Sequence, residues 1–350
     1  METAVIGLPS CGKTTIFNAL TGQQASLSDF SGARKQTHLA EVQVPDPRVD
    51  KLTALYHPKK TVYATVLFRD VPIEYDPETG ISAASIADIR KADAVTLVIR
   101  AFLDESVPHP LKSMEPLRDL RKVLDALVFA DYEVADKRRE RLEKEGKRDS
   151  REYHLLARII EKLSAGSGLG VGFLSEDEEK LLSGFAFLTL KPLIVVLNTG
   201  EKNADTRPLI AQCETMGLAC FIIRGELEQE IAQLPASDQV EFLKDIGMSE
   251  PAKNRFLAHV YSTLKLISFL TAGEDEVRAW SIHDGTIALK AAGKIHSDLE
   301  KGFIRAEVVP WQVLHDCGGE AEAKKLGKIR LEGKEYVVKD GDVIVVRFNK

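Results

Sequence analysis

Two rhythms of apolar positions run along this chain. Over the first 110 residues or so, short unbroken apolar runs alternate with helically spaced ones. Thr3-Ala4-Val5-Ile6 reads as a buried strand and Thr15-Ile16-Phe17-Asn18-Ala19-Leu20 as the helix after it. Residues 38–44 alternate apolar and polar, as a half-buried strand does. Val44-Pro45-Asp46-Pro47-Arg48-Val49 is a turn opening a helix that holds Leu52 and Leu55. Residues 61–68 are β-branched and aromatic and predict one strand that ends at Asp70. Residues 86–91 are helical, and Ala94-Val95-Thr96-Leu97-Val98-Ile99 is the continuous run of a strand covered on both faces.

The rhythm changes near residue 111. Leu117, Leu120, Leu124, Leu127 and Val134 recur at helical spacing, Gly146-Lys147-Arg148-Asp149 breaks the helix, and Leu155, Ile159, Ile160 and Leu163 resume the period. This predicts an antiparallel helical hairpin, partly coiled coil. Its charge-dense stretch over residues 136–145 reads as a solvated helix face or as a docking arm for a large partner. Pro192-Leu193-Ile194-Val195-Val196-Leu197 and Cys220-Phe221-Ile222-Ile223 return to buried strands. Residues 260–270 predict a linking helix. Beyond Val277, strands at 279–282, 304–309, 329–331 with 336–338, and 343–348 are interrupted by helices at 290–295 and 320–325. The expected architecture is α/β: a mostly parallel sheet domain over 1–110 and 190–275, a helical insertion over 111–189, and a small α+β module over 276–350.

Composition narrows the class. The chain has 350 residues, 44% hydrophobic and 29% charged, with a formal net charge of −6. That is ordinary globular composition and argues against bulk coating of a polyanion, though not against a local basic patch. No apolar run reaches the length of a membrane span, the N-terminus has no basic leader, and the four cysteines show no C-x-x-C spacing. A reduced cytoplasmic protein without a membrane partner is expected.

The chemistry begins between the first strand and first helix. Gly7-Leu8-Pro9-Ser10-Cys11-Gly12-Lys13-Thr14 matches G-x-x-x-x-G-K-[ST], followed by Thr15. Glycines let backbone N–H groups curl around phosphate oxygens, Lys13 reaches the β/γ-phosphates, and the Thr14 hydroxyl ligates Mg²⁺. Cys11 is either a reactive thiol, if the helix N-terminus lowers its pKa, or a small residue that fits. Asp70, ending a strong strand, stands where a carboxylate holds Mg²⁺. Lys13 and Asp70 are the expected catalytic pair, and Thr37 is a candidate to close on the metal. Asn198-Thr199-Gly200-Glu201 follows a strand where guanine-specific proteins carry N-K-x-D. Thr199 replaces the Lys and Glu201 the Asp. A carboxylate one methylene longer cannot make the same pair of hydrogen bonds to guanine, so the expected base shifts toward adenine.

Taken together these stretches resemble the YchF-type branch of the Obg-related P-loop proteins over nearly the whole chain. The resemblance rests on the loop and helix, on Val44-Pro45-Asp46-Pro47-Arg48, on the Lys-Arg-Arg-Glu-Arg-Leu-Glu-Lys insert and on Asn198 with Glu201. It is closest at Glu276-Val277-Arg278-Ala279-Trp280, Ala292-Gly293-Lys294-Ile295-His296 and residues 300–308. It implies a Ras-like P-loop ATPase that prefers ATP to GTP, with a coiled-coil insertion and a ubiquitin-like TGS domain. It further implies a monomer associated with the ribosome, through its large subunit, or with RNA. One departure stands out. The family's D-x-x-G is Asp70-Val71-Pro72-Ile73 here, and Glu74-Tyr75-Asp76-Pro77-Glu78-Thr79-Gly80 replaces the glycine-rich segment after it. Three functions remain open on the sequence: a slow Mg²⁺-dependent ATPase, a non-catalytic nucleotide-binding scaffold, and a GTP-binding protein. In the C-terminal module, Lys290, Lys294, Lys301, Arg305, Lys324, Lys325, Lys328 and Arg330 are candidates for an RNA-facing patch, with a protein partner as the alternative.

Overall fold

A computed structural model describes residues 2–22, 38–76, 78 and 80–349; Thr37 lies outside them. In chain order, β1 (Glu2–Ile6) leads through the phosphate loop into α1 (Lys13–Thr21), and β2 (His38–Gln43) precedes α2 (Pro47–Tyr56). The single strand expected over 61–68 is two, β3 (Lys60–Val62) and β4 (Thr65–Asp70), interrupted at Tyr63 and Ala64. There the Tyr63 hydroxyl turns to Asp50 and the Ala64 carbonyl accepts from the Val44 N–H. A two-stranded hairpin, β5 (Tyr75–Asp76) and β6 (Gly80–Ile81), precedes α3 (Ala83–Arg90) and β7 (Ala94–Arg100). The insertion follows: α4 (Pro116–Lys144), α5 (Arg151–Ser164) and α6 (Glu176–Leu182). Then come β8 (Leu193–Asn198), α7 (Arg207–Thr215), β9 (Ala219–Ile223), α8 (Gly225–Gln233), α9 (Ala236–Asp245) and α10 (Ala252–Thr263). The C-terminal stretch holds β10 (Leu266–Ala272), β11 (Glu276–His283), α11 (Ala288–Ile295), α12 (Ser297–Lys301), β12 (Phe303–Pro310), α13 (Trp311–Asp316), α14 (Glu320–Lys325), β13 (Arg330–Glu332) and β14 (Asp342–Phe348).

The first sheet has the order β2-β4-β1-β7-β8-β9. The pairings β1–β4, β1–β7, β7–β8 and β8–β9 are all parallel. Every residue of β7 is buried, as its unbroken apolar run predicts. Chain order reverses at β1, whose neighbours are β4 and β7. The crevice beyond the carboxyl ends of the strands at such a reversal is where α/β sheets bind ligands.

Two compact units divide the chain: Met1–Glu41 with Leu67–Lys253, and Val42–Val66 with Asn254–Lys350. This departs from the expected boundaries. Residues 42–66, expected in the nucleotide domain, belong to the second unit. Its sheet has the order β13-β12-β14-β10-β11-β3, with β3 parallel to β11 and Lys60 opposite Glu276. Val49 and Leu52 of α2 are buried in one cluster with Leu270, Val277 and Val343. Asp46 caps α2 and takes Arg48 through both carboxylate oxygens, while Arg48 Nη1 donates to Asp340 at 2.7 Å. The Val-Pro-Asp-Pro-Arg motif is therefore a brace of the second unit. The linking helix expected over 260–270 ends at Thr263, and the apolar run after it is β10, paired residue by residue with β11. Of the strand expected at 336–338, only an isolated bridge from Val337 to Ile287 is present.

In the first unit, α4 begins in the sheet's own core through Leu120, Val123, Leu127 and Ala130, and its later turns share a second cluster with Leu155, Leu156, Ile159, Ile160 and Leu163 of α5. One buried carboxylate fastens the return of the chain. Asp131 accepts from the Leu188 N–H at 3.0 Å, the Thr189 N–H at 2.8 Å and the Thr189 hydroxyl at 2.9 Å. It also takes Arg90 Nη1 at 2.9 Å. Among the described residues no helix is long and apolar enough to cross a membrane. Asp131→Ala takes from Arg90 its carboxylate and leaves the buried Leu188 N–H and the half-buried Thr189 N–H without their acceptor. It is expected to lower unfolding free energy by about 3 kcal/mol or more in urea titrations, whereas the exposed-face change Lys137→Ala stays within about 0.5 kcal/mol.

Candidate nucleotide site

Residues 7–14 turn sharply because the backbone enters left-handed space twice, at Ser10 (φ 62°) and at Gly12 (φ 79°). Gly12 precedes α1, and the residue before the helix offers no side-chain cap, so the helix N-terminus can meet an anion. Leu8 and Cys11 are buried, whereas Pro9, Ser10, Lys13, Thr14 and Thr15 are half-buried. A Cβ on Gly7 would come within 2.5 Å of the Val98 carbonyl oxygen, and one on Gly12 within 2.1 Å of Asn198 Nδ2. Packing alone calls for glycine at residue 7, and packing together with the left-handed backbone calls for it at residue 12.

Asn198 ends β8 and is 3% exposed. Its Nδ2 donates to the Cys11 carbonyl at 3.1 Å, and its Oδ1 accepts from the Gly225 N–H at 3.1 Å. The amide expected beside the base thus ties the phosphate loop to the start of α8. Thr199 turns back toward β9, its N–H donating to the Ile223 carbonyl at 2.9 Å. The next turn is closed by Asn203, which bonds both the Gly200 N–H and the Gly200 carbonyl. Glu201 is exposed at its tip. Phe102 packs beside this turn: a Cβ on Gly200 would lie 3.1 Å from Phe102 Cβ, and the Phe102 ring also reaches Gly12.

Lys13, Thr14 and Asp70 lie together. Lys13 Nζ stands 3.6 Å from Asp70 Oδ1, and the Thr14 hydroxyl 3.4 Å from Asp70 Oδ2. Both contacts are long. Asp70 is 5% exposed, and its Oδ1 is buried without a hydrogen-bond partner. An ionised carboxylate so placed is under-satisfied, since a buried acceptor without a donor costs about 1–3 kcal/mol. A divalent cation fits this donor set: a hydroxyl and a carboxylate, both hard oxygens. Thr37, the third expected ligand, is outside the described residues.

Sequence reasoning missed the groups that hold the loop from below. Arg100, the last residue of β7, is 3% exposed. Its guanidinium donates to carbonyls of Ser10 (3.4 Å), Phe102 (3.3 Å), Asp104 (3.0 Å) and Val107 (3.0 Å), and lies over the Phe102 ring at 4.3 Å. Burial pulls its pKa below the usual arginine value. Further along the loop, His109 Nδ1 accepts from the Leu111 N–H, leaving Nε2 to face buried Asp119 at 2.8 Å, with Arg118 on the other oxygen. Desolvation pulls the His109 pKa down. Neither group carries a local signature, since Arg100 ends an apolar run and His109 sits in a loop without a motif.

Cys11 resolves toward the simpler of its two readings. Burial pushes its thiol up to about 11, against the opposing pull of Lys13. The folded protein is expected to leave Cys11 unmodified by iodoacetamide at pH 8, with labelling appearing in urea; peptide mass spectrometry reads this. Asn198→Ala removes both halves of the tie and leaves the Cys11 carbonyl and the Gly225 N–H unpaired. A stability loss of about 2 kcal/mol and a tenfold or greater weakening of nucleotide binding are expected from denaturant titration and calorimetry.

The chain is similar to known proteins over its full length. A family model for the YchF-GTPase C-terminal region, described as a protein of unknown function, matches residues 266–349. One described as a 50S ribosome-binding GTPase matches residues 2–131. The ribosome-binding ATPase YchF of Bacillus subtilis is 35% identical over 363 residues, covering 100% of this chain and 99% of the relative. That of Haemophilus influenzae is 35% identical over 360 residues, covering 99% of each, and that of Escherichia coli O157:H7 is 33% identical over 359. Among solved structures, the YchF GTPase of Schizosaccharomyces pombe superposes with a TM-score of 0.87 at 29% identity, covering 99% of this chain and 97% of that one. At this identity and coverage, the chain belongs to the YchF family.

Proposed function

We propose that this chain is a Mg²⁺-dependent purine-nucleotide-binding protein that takes ATP in preference to GTP, hydrolyses it slowly, and works in association with the ribosome. The observation that carries the nucleotide reading is the convergence of Lys13, Thr14 and under-satisfied Asp70 at the mouth of an uncapped helix. Thr14 and Asp70 would hold the cation, Asp70 through water, and Lys13 would neutralise the β/γ-phosphates. Bound there, the metal supplies positive charge that offsets what develops on the phosphoryl oxygens. The loop's own N–H groups bind and orient the phosphates, and the buried Asn198 amide keeps them in place.

The preference for adenine rests on the turn after β8. Glu201 lies exposed with no partner among the described residues, and Thr199 has no long apolar stem to lie along a base. Phe102 offers the apolar surface instead, packed against Gly200 on the same turn. Ribosome association is carried over from relatives named ribosome-binding ATPases. The docking elements in this reading are the helical insertion and residues 276–350, taken as a TGS domain.

Isothermal calorimetry with Mg²⁺ is expected to give tighter binding of ATP than of GTP by about tenfold, the size of a single hydrogen-bond discrimination. Binding is expected to weaken sharply on chelation of the metal. Lys13→Ala is expected to abolish turnover while leaving the fold intact by circular dichroism. Tighter binding of GTP than of ATP would instead make this a guanine-nucleotide protein and remove the argument from Thr199 and Glu201.

A further inference from the structure

A nucleotide site that distinguishes tri- from diphosphate does so through a segment free to move onto the γ-phosphate and to relax when it leaves. In a P-loop site that segment follows the metal carboxylate. Here it is committed elsewhere. Val71 is fully buried, and its N–H donates to the Val5 carbonyl at 3.1 Å, continuing the line of β4 along β1. Pro72 has no N–H, and its carbonyl accepts from the Ser85 hydroxyl at 3.0 Å. The Glu74 N–H donates to that same hydroxyl oxygen at 3.1 Å, and the Glu74 carbonyl accepts from the Ser82 N–H at 2.9 Å. Ser85 is itself buried in the first turn of α3. One hydroxyl therefore staples the backbone on both sides of Ile73.

The side chains bind the segment as firmly. Ile73 is 3% exposed and joins Val71, Ile89 and Leu97 in the core cluster of the first unit, with Tyr75 and Ile81 packed against it. Tyr75 and Ile81 face each other across β5 and β6. No glycine occurs between Asp70 and Gly80 to act as a hinge, and Pro72 fixes φ next to β-branched Ile73. Moving residue 73 toward a phosphate would carry a buried isoleucine out of the core and break both bonds to Ser85.

We propose that residues 71–76, with Gly80, Ile81 and Ser82, form a fixed wall of the nucleotide site, so that the chain takes nucleoside di- and triphosphates alike and in one conformation, with Ile73 and Ser85 as the residues that prevent the γ-phosphate from being read. The inference rests on the nucleotide reading above. The test is calorimetry of the full chain with Mg²⁺ and either ADP or a non-hydrolysable ATP analogue, paired with hydrogen exchange. The expected result is Kd values within about fivefold of each other, and the same amide protection over residues 71–90 with either ligand. A triphosphate preference of about fiftyfold or more, or protection of this segment by the triphosphate alone, overturns the proposal while leaving the nucleotide reading intact. Binding of neither ligand overturns both. Ile73→Gly, checked for native circular dichroism, is expected to raise the triphosphate-to-diphosphate affinity ratio at least about threefold. A ratio unchanged from the parent overturns the role given to Ile73.

Discussion

A single buried amide fixes the geometry on which the nucleotide site depends. The Asn198 side chain joins the Cys11 carbonyl to the Gly225 N–H, two peptide groups that lie 214 positions apart in sequence. Its volume sets what its neighbours are: Cβ atoms on Gly12 or on Gly225 would fall 2.1 Å and 2.6 Å from its amide atoms. Two glycines that look like independent loop features are thus set by one asparagine. The loop needs this external tie because its own backbone has little else to hold it. Inside residues 7–12 the described bonds reduce to Cys11 N–H on the Leu8 carbonyl, at 3.3 Å.

The charges around this loop divide into those that face a ligand and those that hold the backbone. Arg100 belongs to the second kind. Its bonds go to four carbonyl oxygens and none to a carboxylate, so it spends its charge on backbone dipoles while lying near the loop's Ser10. Such bonds to a charged group are stronger than neutral ones. Lys13 and Asp70 belong to the first kind. Their mutual contact, 3.6 Å, is too long for a hydrogen bond and leaves Asp70 Oδ1 without a donor, an arrangement that fits a polyphosphate with a divalent cation.

Much of this was legible in the sequence, and the reasons differ by residue. The phosphate loop and Asp70 announce themselves because each needs only local context, a strand before and a helix or turn after. β7 was legible because a strand buried on both faces has nothing to alternate with. Arg100 was not, because four carbonyls from a following loop leave no pattern around it. The place of residues 42–66 in the second unit is not legible, because the pairing of β3 with β11 sets Lys60 opposite Glu276, a contact that no local signal encodes. β10 reads as the end of a helix because a short apolar run such as Leu266-Ile267-Ser268-Phe269-Leu270 fits either period until its partner strand is known.

The departure from D-x-x-G changes meaning once the structure is in view. In sequence it looks like damage: a glycine lost and a proline gained. In the fold the replaced residues are well used. Val71 and Ile73 fill the core, Ser85 satisfies the peptide groups around Ile73, and Tyr75 and Ile81 cover the same cluster. A decayed loop has no reason to satisfy its hydrogen bonds or to bury its side chains without strain. Val71 and Ile73 are buried, the Val71 N–H, the Pro72 carbonyl and both Glu74 peptide groups are hydrogen-bonded, and none of residues 71–75 has a left-handed backbone. A packed segment next to a phosphate loop is the arrangement expected where holding the nucleotide matters more than responding to its loss of a phosphate, which is the sense of the proposal made for residues 71–76.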